Sequence, residues 1–286
     1  MNVVFLCIGA AKAGTDWLHR QLSAHPDCHM RSIKELHWFD AVEGGRLPRE
    51  LEKHRAEHEA LLTRLASAGQ FPDADQARRL ADRAAWMDVL ERGGADPTGY
   101  LEYLGHGARD GQVVGDMTPA YALLPERRLR EMATVARDVR ILFLMRDPVD
   151  RLWSHVRMMA ARRDPDATVT RQRCARILDR TIAGEEDQIA RRSDYAGTLK
   201  RLAAAVPGGR WLSEVFEEMV AGEGLLRICA FLGIAPMAAD PVAVHRGQPL
   251  EITRQQRRAA ARWLAPQYET AERVLGRMPG AWRPEG

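Results

Sequence analysis

The feature that most constrains this chain is its first passage from strand to turn to helix. Val3-Val4-Phe5-Leu6-Cys7-Ile8 is a continuous apolar run. Gly9-Ala10-Ala11-Lys12-Ala13-Gly14-Thr15-Asp16-Trp17-Leu18 leads from it directly into a helical pattern. Small residues let backbone N–H groups approach an anion, the helix that follows offers its positive end, and Thr15 offers a hydroxyl. The loop therefore reads as a phosphate cradle, with an ordinary strand-to-helix turn as the alternative. It is not a Walker A loop, because GxxxxGK[ST] sets the lysine after the second glycine, whereas Lys12 precedes Gly14.

Three further segments have strand character: Val113 to Asp116, Arg140 to Met145 and, more weakly, Trp211 to Phe216. Strands alternating with helices predict an α/β fold, a parallel sheet covered on both faces, with ligands bound beyond the carboxyl ends of the strands. Helices are predicted at Glu50 to Leu65, Asp75 to Glu91, Pro125 to Ala136, Asp147 to Arg162, Glu185 to Val206, Gly222 to Leu232 and Arg254 to Leu275. Residues 41–110 hold no strand candidate and read as a helical insertion within a single domain spanning 1–286.

Charge excludes one class of partner. The 42 cationic residues, only four of them lysines (Lys12, Lys34, Lys53 and Lys200), face 39 acidic ones and are spread along the chain, so nucleic-acid binding by bulk charge is not indicated. At 45% apolar and 28% charged residues the composition is that of a globular protein. No apolar run approaches the roughly 20 residues of a membrane span, and the four cysteines form no CxxC pair. A soluble cytoplasmic protein with reduced thiols and no stable membrane insertion is expected.

Two more segments carry chemistry. Lys34-Glu35-Leu36-His37-Trp38-Phe39-Asp40 packs a cation, a carboxylate and an imidazole among aromatics. Aromatic surface can raise a carboxylate's pKa towards general-base duty. A partly buried Lys–Glu pair at the end of a short strand is the alternative. In the stretch from Leu144 to His155, Arg146 closes a strand, Asp147 is placed to cap a helix that begins at Pro148, and Ser154 lies about two turns in. A guanidinium fork plus a hydroxyl suits a terminal phosphate. The alternative is a capped helix with a surface arginine.

These segments, in this order, resemble the sulfotransferases that use 3′-phosphoadenosine 5′-phosphosulfate. Ile8 to Thr15 is similar to that family's 5′-phosphosulfate loop, and Arg146 to His155 to its 3′-phosphate motif. Lys34 to Asp40 resembles the acceptor-site segment of the bacterial and heparan-sulfate branch, and Gly115 to Tyr121 another recurrent strand-end motif. The resemblance implies a P-loop nucleotide-kinase-like fold and in-line transfer of a sulfuryl group to a hydroxyl or amine, with no metal. It implies that Lys12, Ala13, Gly14, Thr15 and Asp16 hold the phosphosulfate and Arg146 and Ser154 the 3′-phosphate. Arg246, in Val244 to Gln248, corresponds to a basic loop over the nucleotide. Lys12, with Lys34, would serve the bridging oxygen and Glu35 the proton, with His37 as the rival base. The acceptor would be a small molecule, lipid or carbohydrate. The alternatives are a nucleotide-binding homologue without turnover and an ATP-dependent kinase.

Two positions depart from the family pattern. Asp16 stands where a second hydroxyl is usual and would repel an anionic donor unless it turns away to cap the helix. Met117 stands where several relatives carry lysine. Outside these motifs, His54 and His58 stand at i, i+4 around Glu57, and a solvated helix face rather than a metal pair is expected there.

Overall fold

The computed structural model describes residues 2–240 and 250–282. Five strands, β1 (Val3–Gly9), β2 (Cys28–Met30), β3 (Val113–Met117), β4 (Val139–Met145) and β5 (Trp211–Val215), form one sheet in the order β2-β3-β1-β4-β5, every pair parallel. All of β3 and nearly all of β1 and β4 are buried, as expected for strands covered on both faces. β2 was not legible in advance, because three residues, Cys28-His29-Met30, are too few to display a strand pattern.

The first half of the chain contributes α1 (Thr15–Ala24), α2 (Trp38–Glu43), α3 (Leu47–Ser67), α4 (Ala74–Arg92), α5 (Thr98–Gly105) and α6 (Glu126–Ala133). The second half contributes α7 (Pro148–Arg162), α8 (Arg171–Ile182), α9 (Asp187–Ser193), α10 (Tyr195–Ala205), α11 (Phe216–Ala221), α12 (Glu223–Leu232), α13 (Arg254–Trp263) and α14 (Ala265–Leu275). Two expected helices are each broken in two. The first stops at Asp194, whose carboxylate accepts the Gly197 N–H at 2.8 Å and so caps a new helix, α10. The second breaks at Leu264, because Pro266 in the first turn of α14 has no N–H to continue α13. Asp147 caps α7 as its spacing predicts, accepting the Asp150 N–H at 2.8 Å.

Residues 41–110 are helical, and their inner side belongs to the main core. Trp86 of α4 and Tyr100 of α5 are fully buried, and both rings meet Trp38, with centroids 6.1 Å and 6.0 Å away. A buried ion pair adds to this joint: Asp82 of α4 accepts from Arg31 at 2.8 Å and from the Ser32 N–H at 2.7 Å, which fixes the approach to Lys34. A second apolar cluster gathers Leu152, Val156, Leu178 and Leu264 around α7, α8 and α13. All four cysteines are free and buried, and no described helix is long and apolar enough to cross a membrane.

Gly115 marks the tightest point of the sheet. A Cβ there would sit 2.4 Å from the Phe5 carbonyl oxygen on the adjacent β1. Gly115→Ala should therefore destabilise the fold by about 1–3 kcal/mol. Urea unfolding is the measurement, and an unchanged midpoint would mean that the β1–β3 contact is looser than described.

Candidate active site

The loops after β1, β3, β4 and β5 meet at one edge of the sheet, as the carboxyl-end rule requires. Residues 9–14 form the floor. The Ala10 N–H donates to the Leu144 carbonyl at 2.7 Å, which ties the loop to the end of β4. Lys12 and Gly14 both have positive φ, 73° and 88°. Gly14 is required twice over, because a Cβ there would also lie 2.3 Å from the Phe216 ring. Phe216 in turn lies under the Arg146 guanidinium at 5.1 Å, so one aromatic side chain supports the loop and the strand-end arginine together. Ala13 and Thr15 are buried beside it.

Around this loop, positive charge goes unanswered among the described residues. The Arg146 guanidinium donates to the Lys12 carbonyl at 3.5 Å, and its Nε has no partner among the described residues. Arg151, fully buried on the first turns of α7, donates to the Ala11 carbonyl at 3.3 Å and to the Ser193 hydroxyl, with its Nε likewise unpartnered. Burial lowers the Lys12 pKa, and the nearby Arg162, Arg146 and Lys34 lower it further against the pull of Asp16. His155, one turn beyond Arg151, is held down to about 3 by burial first and then by Arg151, Arg192, Lys12 and Arg162. A buried cation without a carboxylate is costly unless an anion completes it, so an anionic ligand fits this corner. The sequence assigns nothing to Arg151, Arg192 or His155; their place beside the loop follows from which way α7 and α9 face, and only the buried-side position of Arg151 on an amphipathic helix could have signalled it. Ser154 lies half-buried on α7 beside these groups. Arg246 and its loop lie outside the described residues.

The Lys34 to Asp40 segment forms the opposite wall. Glu35 and His37 adopt positive φ, 63° and 56°, and the end of β3 holds them there. The buried Asp116 carboxylate accepts from Tyr121 Oη at 2.7 Å, Thr118 Oγ1 at 2.8 Å, Tyr100 Oη at 3.3 Å and the Leu36 N–H at 3.4 Å. The Thr118 and Tyr121 oxygens then accept the His37 and Trp38 N–H groups at 3.4 Å and 3.0 Å. Burial raises the Asp116 pKa while these donors and His37 pull it down. Met117 is packed in the core.

Three expectations about this wall need correction. Asp16 does not cap α1; it reaches across to Lys34, with Oδ1 2.7 Å from Nζ. The Glu35 carboxyl is not raised. Burial pushes it up, but hydrogen bonding to His37 and the Lys34 ammonium 3.1 Å away outweigh burial and hold it at about 2. His37 is not poised near neutrality. Burial lowers its pKa, but Asp40 at 3.0 Å and Glu35 at 3.5 Å together raise it to about 10, so the imidazole carries two protons and donates to both carboxylates. The structure thus brings Lys12, Lys34, Glu35, His37 and Asp16 to one edge, with Arg146 beside the loop.

A fourth correction concerns His54. It is not on a solvated face but 2% exposed, next to the cleft that continues from Lys34 and Glu35. Trp17 and Tyr195 are core residues.

The proton on His37 has a thermodynamic signature. Its folded pKa stands above the free value of 6.5, so its contribution to stability is complete below about 6.5 and is lost as the pH rises through about 10. Thermal melts of the protein and of His37→Gln should differ most below pH 6.5 and converge above pH 10; a difference independent of pH would show that the Glu35–His37–Asp40 array is not charged in this way.

The chain matches the model of a family described as the sulfotransferase family over residues 5–238. It is similar to the crystal structure of a sulfotransferase from Alicyclobacillus acidocaldarius, at 22% identity over 99% of both chains with a TM-score of 0.63. It is also similar to the sulfotransferase domain of the Synechococcus PCC 7002 olefin synthase, at 17% identity over 92% of this chain and 94% of that one, TM-score 0.50. A third likeness is to the sulfotransferase domain from the curacin biosynthetic pathway, at 16% identity over 94% of this chain and 90% of that one, TM-score 0.51. These likenesses establish a shared fold. No curated protein matches the sequence.

Proposed function

This chain belongs to the sulfotransferase family, and on that premise we propose that it transfers a sulfuryl group from 3′-phosphoadenosine 5′-phosphosulfate to a hydroxyl of a small acceptor. The observation that carries the reading is the unanswered charge of Lys12, Arg146 and the fully buried Arg151 around a loop of small residues. That is the surrounding a donor with phosphates at both ends requires.

In this reading the backbone of Lys12, Ala13 and Gly14 and the Thr15 hydroxyl hold the phosphosulfate end. Arg146 and Ser154 hold the 3′-phosphate, with Arg246 assigned to the nucleotide by sequence resemblance only. The donor supplies the activated sulfuryl group and a phosphate leaving group. Lys12 neutralises negative charge beside the loop, as a compact ammonium does better than a planar guanidinium. Asp16 is kept from opposing an anionic donor by its ion pair with Lys34.

Glu35 takes the acceptor proton. It is ionised at neutral pH, as a base must be, but Lys34 and His37 keep its basicity low. Lys34 is shared between Asp16 and Glu35, so turning its ammonium to the donor's oxygens would remove one of the two partners that hold Glu35 down and make it a stronger base. His37, already protonated, orients Glu35 rather than competing with it.

Calorimetric titration should give tighter binding of 3′-phosphoadenosine 5′-phosphate than of ATP, and indifference to the 3′-phosphate would sink the assignment. Glu35→Gln should lower turnover by roughly 10²–10⁴-fold while leaving binding of that nucleotide nearly intact. Lys12→Arg, although it keeps the charge, should cost on the order of a hundredfold in turnover, because the bulkier fork displaces the reacting groups; near-normal turnover in this variant would refute the role given to the ammonium.

A further inference from the structure

From the Lys34–Glu35 pair a cleft of about 330 Å³ runs towards the helical segment, within the size range of roughly 300–1,000 Å³ that small ligands occupy. Its far wall is built by α3 and α4, through Lys53, His54, Glu57, Arg79 and Arg83. On the 21-residue α3 only His54 and Leu65 are buried. Leu65 is the ordinary choice for such a position. His54 is not, because neither of its ring nitrogens has a hydrogen-bond partner among the described residues.

Burial, and then the charges of Lys53 and Arg83, push the His54 pKa down to about 4, so one ring nitrogen donates and the other accepts. A buried polar group left without a partner costs roughly 1–3 kcal/mol, and a leucine would avoid that cost. The arrangement is explained if a ligand completes it. The surroundings say what kind. Arg83 is paired with Glu57, Lys53 Nζ lies 3.6 Å from Glu50, and Lys34 lies between Asp16 and Glu35. Cations and carboxylates are both present in the lining, and among the lining residues Ile33 is the one apolar side chain. Vicinal hydroxyls, each able to donate and to accept, match such a wall. An alkyl chain or aromatic ring would strip water from these charges and return nothing.

We propose that His54 is an acceptor-positioning residue: its imidazole binds one hydroxyl of a polyhydroxylated acceptor and thereby directs a second hydroxyl of the same molecule to Glu35. This rests on the sulfuryl-transfer reading above and adds to it the acceptor class and the residue that selects it. The roles are separate, since Glu35 touches the reacting hydroxyl and His54 acts through the acceptor's orientation.

The test uses the full chain saturated with 3′-phosphoadenosine 5′-phosphate and titrated with methyl α-D-glucopyranoside or, as the apolar control, cyclohexanol. The His54 imidazole is followed by NMR, its resonance identified by its loss in His54→Gln. It should shift with the glycoside and stay still with cyclohexanol. In turnover with labelled donor and a set of methyl hexopyranosides, His54→Leu, which keeps the volume filled, should raise KM about tenfold or more with kcat and nucleotide affinity little changed. His54→Gln, which restores a donor and an acceptor, should recover most of that loss. An unmoved resonance, an unchanged KM in His54→Leu, equal labelling of cyclohexanol, or no labelling of the glycosides while the nucleotide binds would each overturn the proposal. Transfer to cyclohexanol without any response at His54 would sink this inference alone. Failure of the unaltered protein to bind the nucleotide would instead remove the sulfuryl-transfer reading, and this proposal with it.

Discussion

A carboxylate sealed inside the sheet governs the shape of this site. Asp116 lies one residue from the end of β3, and its two oxygens gather hydrogen bonds from Tyr100, Thr118, Tyr121 and the Leu36 backbone. Left unsatisfied, such a group would be among the most expensive in the molecule; surrounded by four donors, it fixes three pieces of chain against one another. What it fixes is irregular. Glu35 and His37 stand in left-handed backbone conformations that persist only where neighbouring structure over-determines them. The Gly115 to Tyr121 segment thus serves to hold the Lys34 to Asp40 stretch in place.

Much of the fold was legible because its signals are local. A run of apolar residues, small residues in a turn, and an Asp-Pro pair at a helix start each act within a few positions, and β1, the loop and the start of α7 follow them. What escaped reading depends on distant partners. Arg151 and His54 sit in unremarkable helical patterns, and only the packing of α7 against the loop and of α3 against α4 buries them. Of the two readings of Glu35, the raised carboxyl fails and the Lys34–Glu35 pair holds, for a related reason. Trp38 and Phe39, the aromatic neighbours expected to desolvate it, turn into the core towards Tyr100 and Tyr121. That leaves Glu35 among charged groups, one of them Lys34, which Asp16 of α1 also holds.

The two walls of the site follow opposite electrostatic rules. Beside the loop, cations outnumber their partners, so the protein carries an excess that a polyanion can relieve. Across the cleft, cations and carboxylates meet in pairs, and the local charge is close to balanced. Lys34 stands where these regimes meet. Its ammonium is more strongly engaged than that of Lys12, since Glu35 and Asp16 raise its pKa against burial, whereas burial lowers that of Lys12.

The aromatic joint between Trp38, Trp86 and Tyr100 has a consequence for how such a protein can change. It secures the α3–α5 segment from the inside, immediately next to His37, while most of the surface of α3 faces outward and carries no part of the core. The outer face of α3 can therefore be substituted without loosening the wall that carries Glu35. A transplant of the segment between homologues would succeed or fail on whether the mounting rings travel with it. The exposed surface and its anchor are neighbours in sequence but meet different physical constraints.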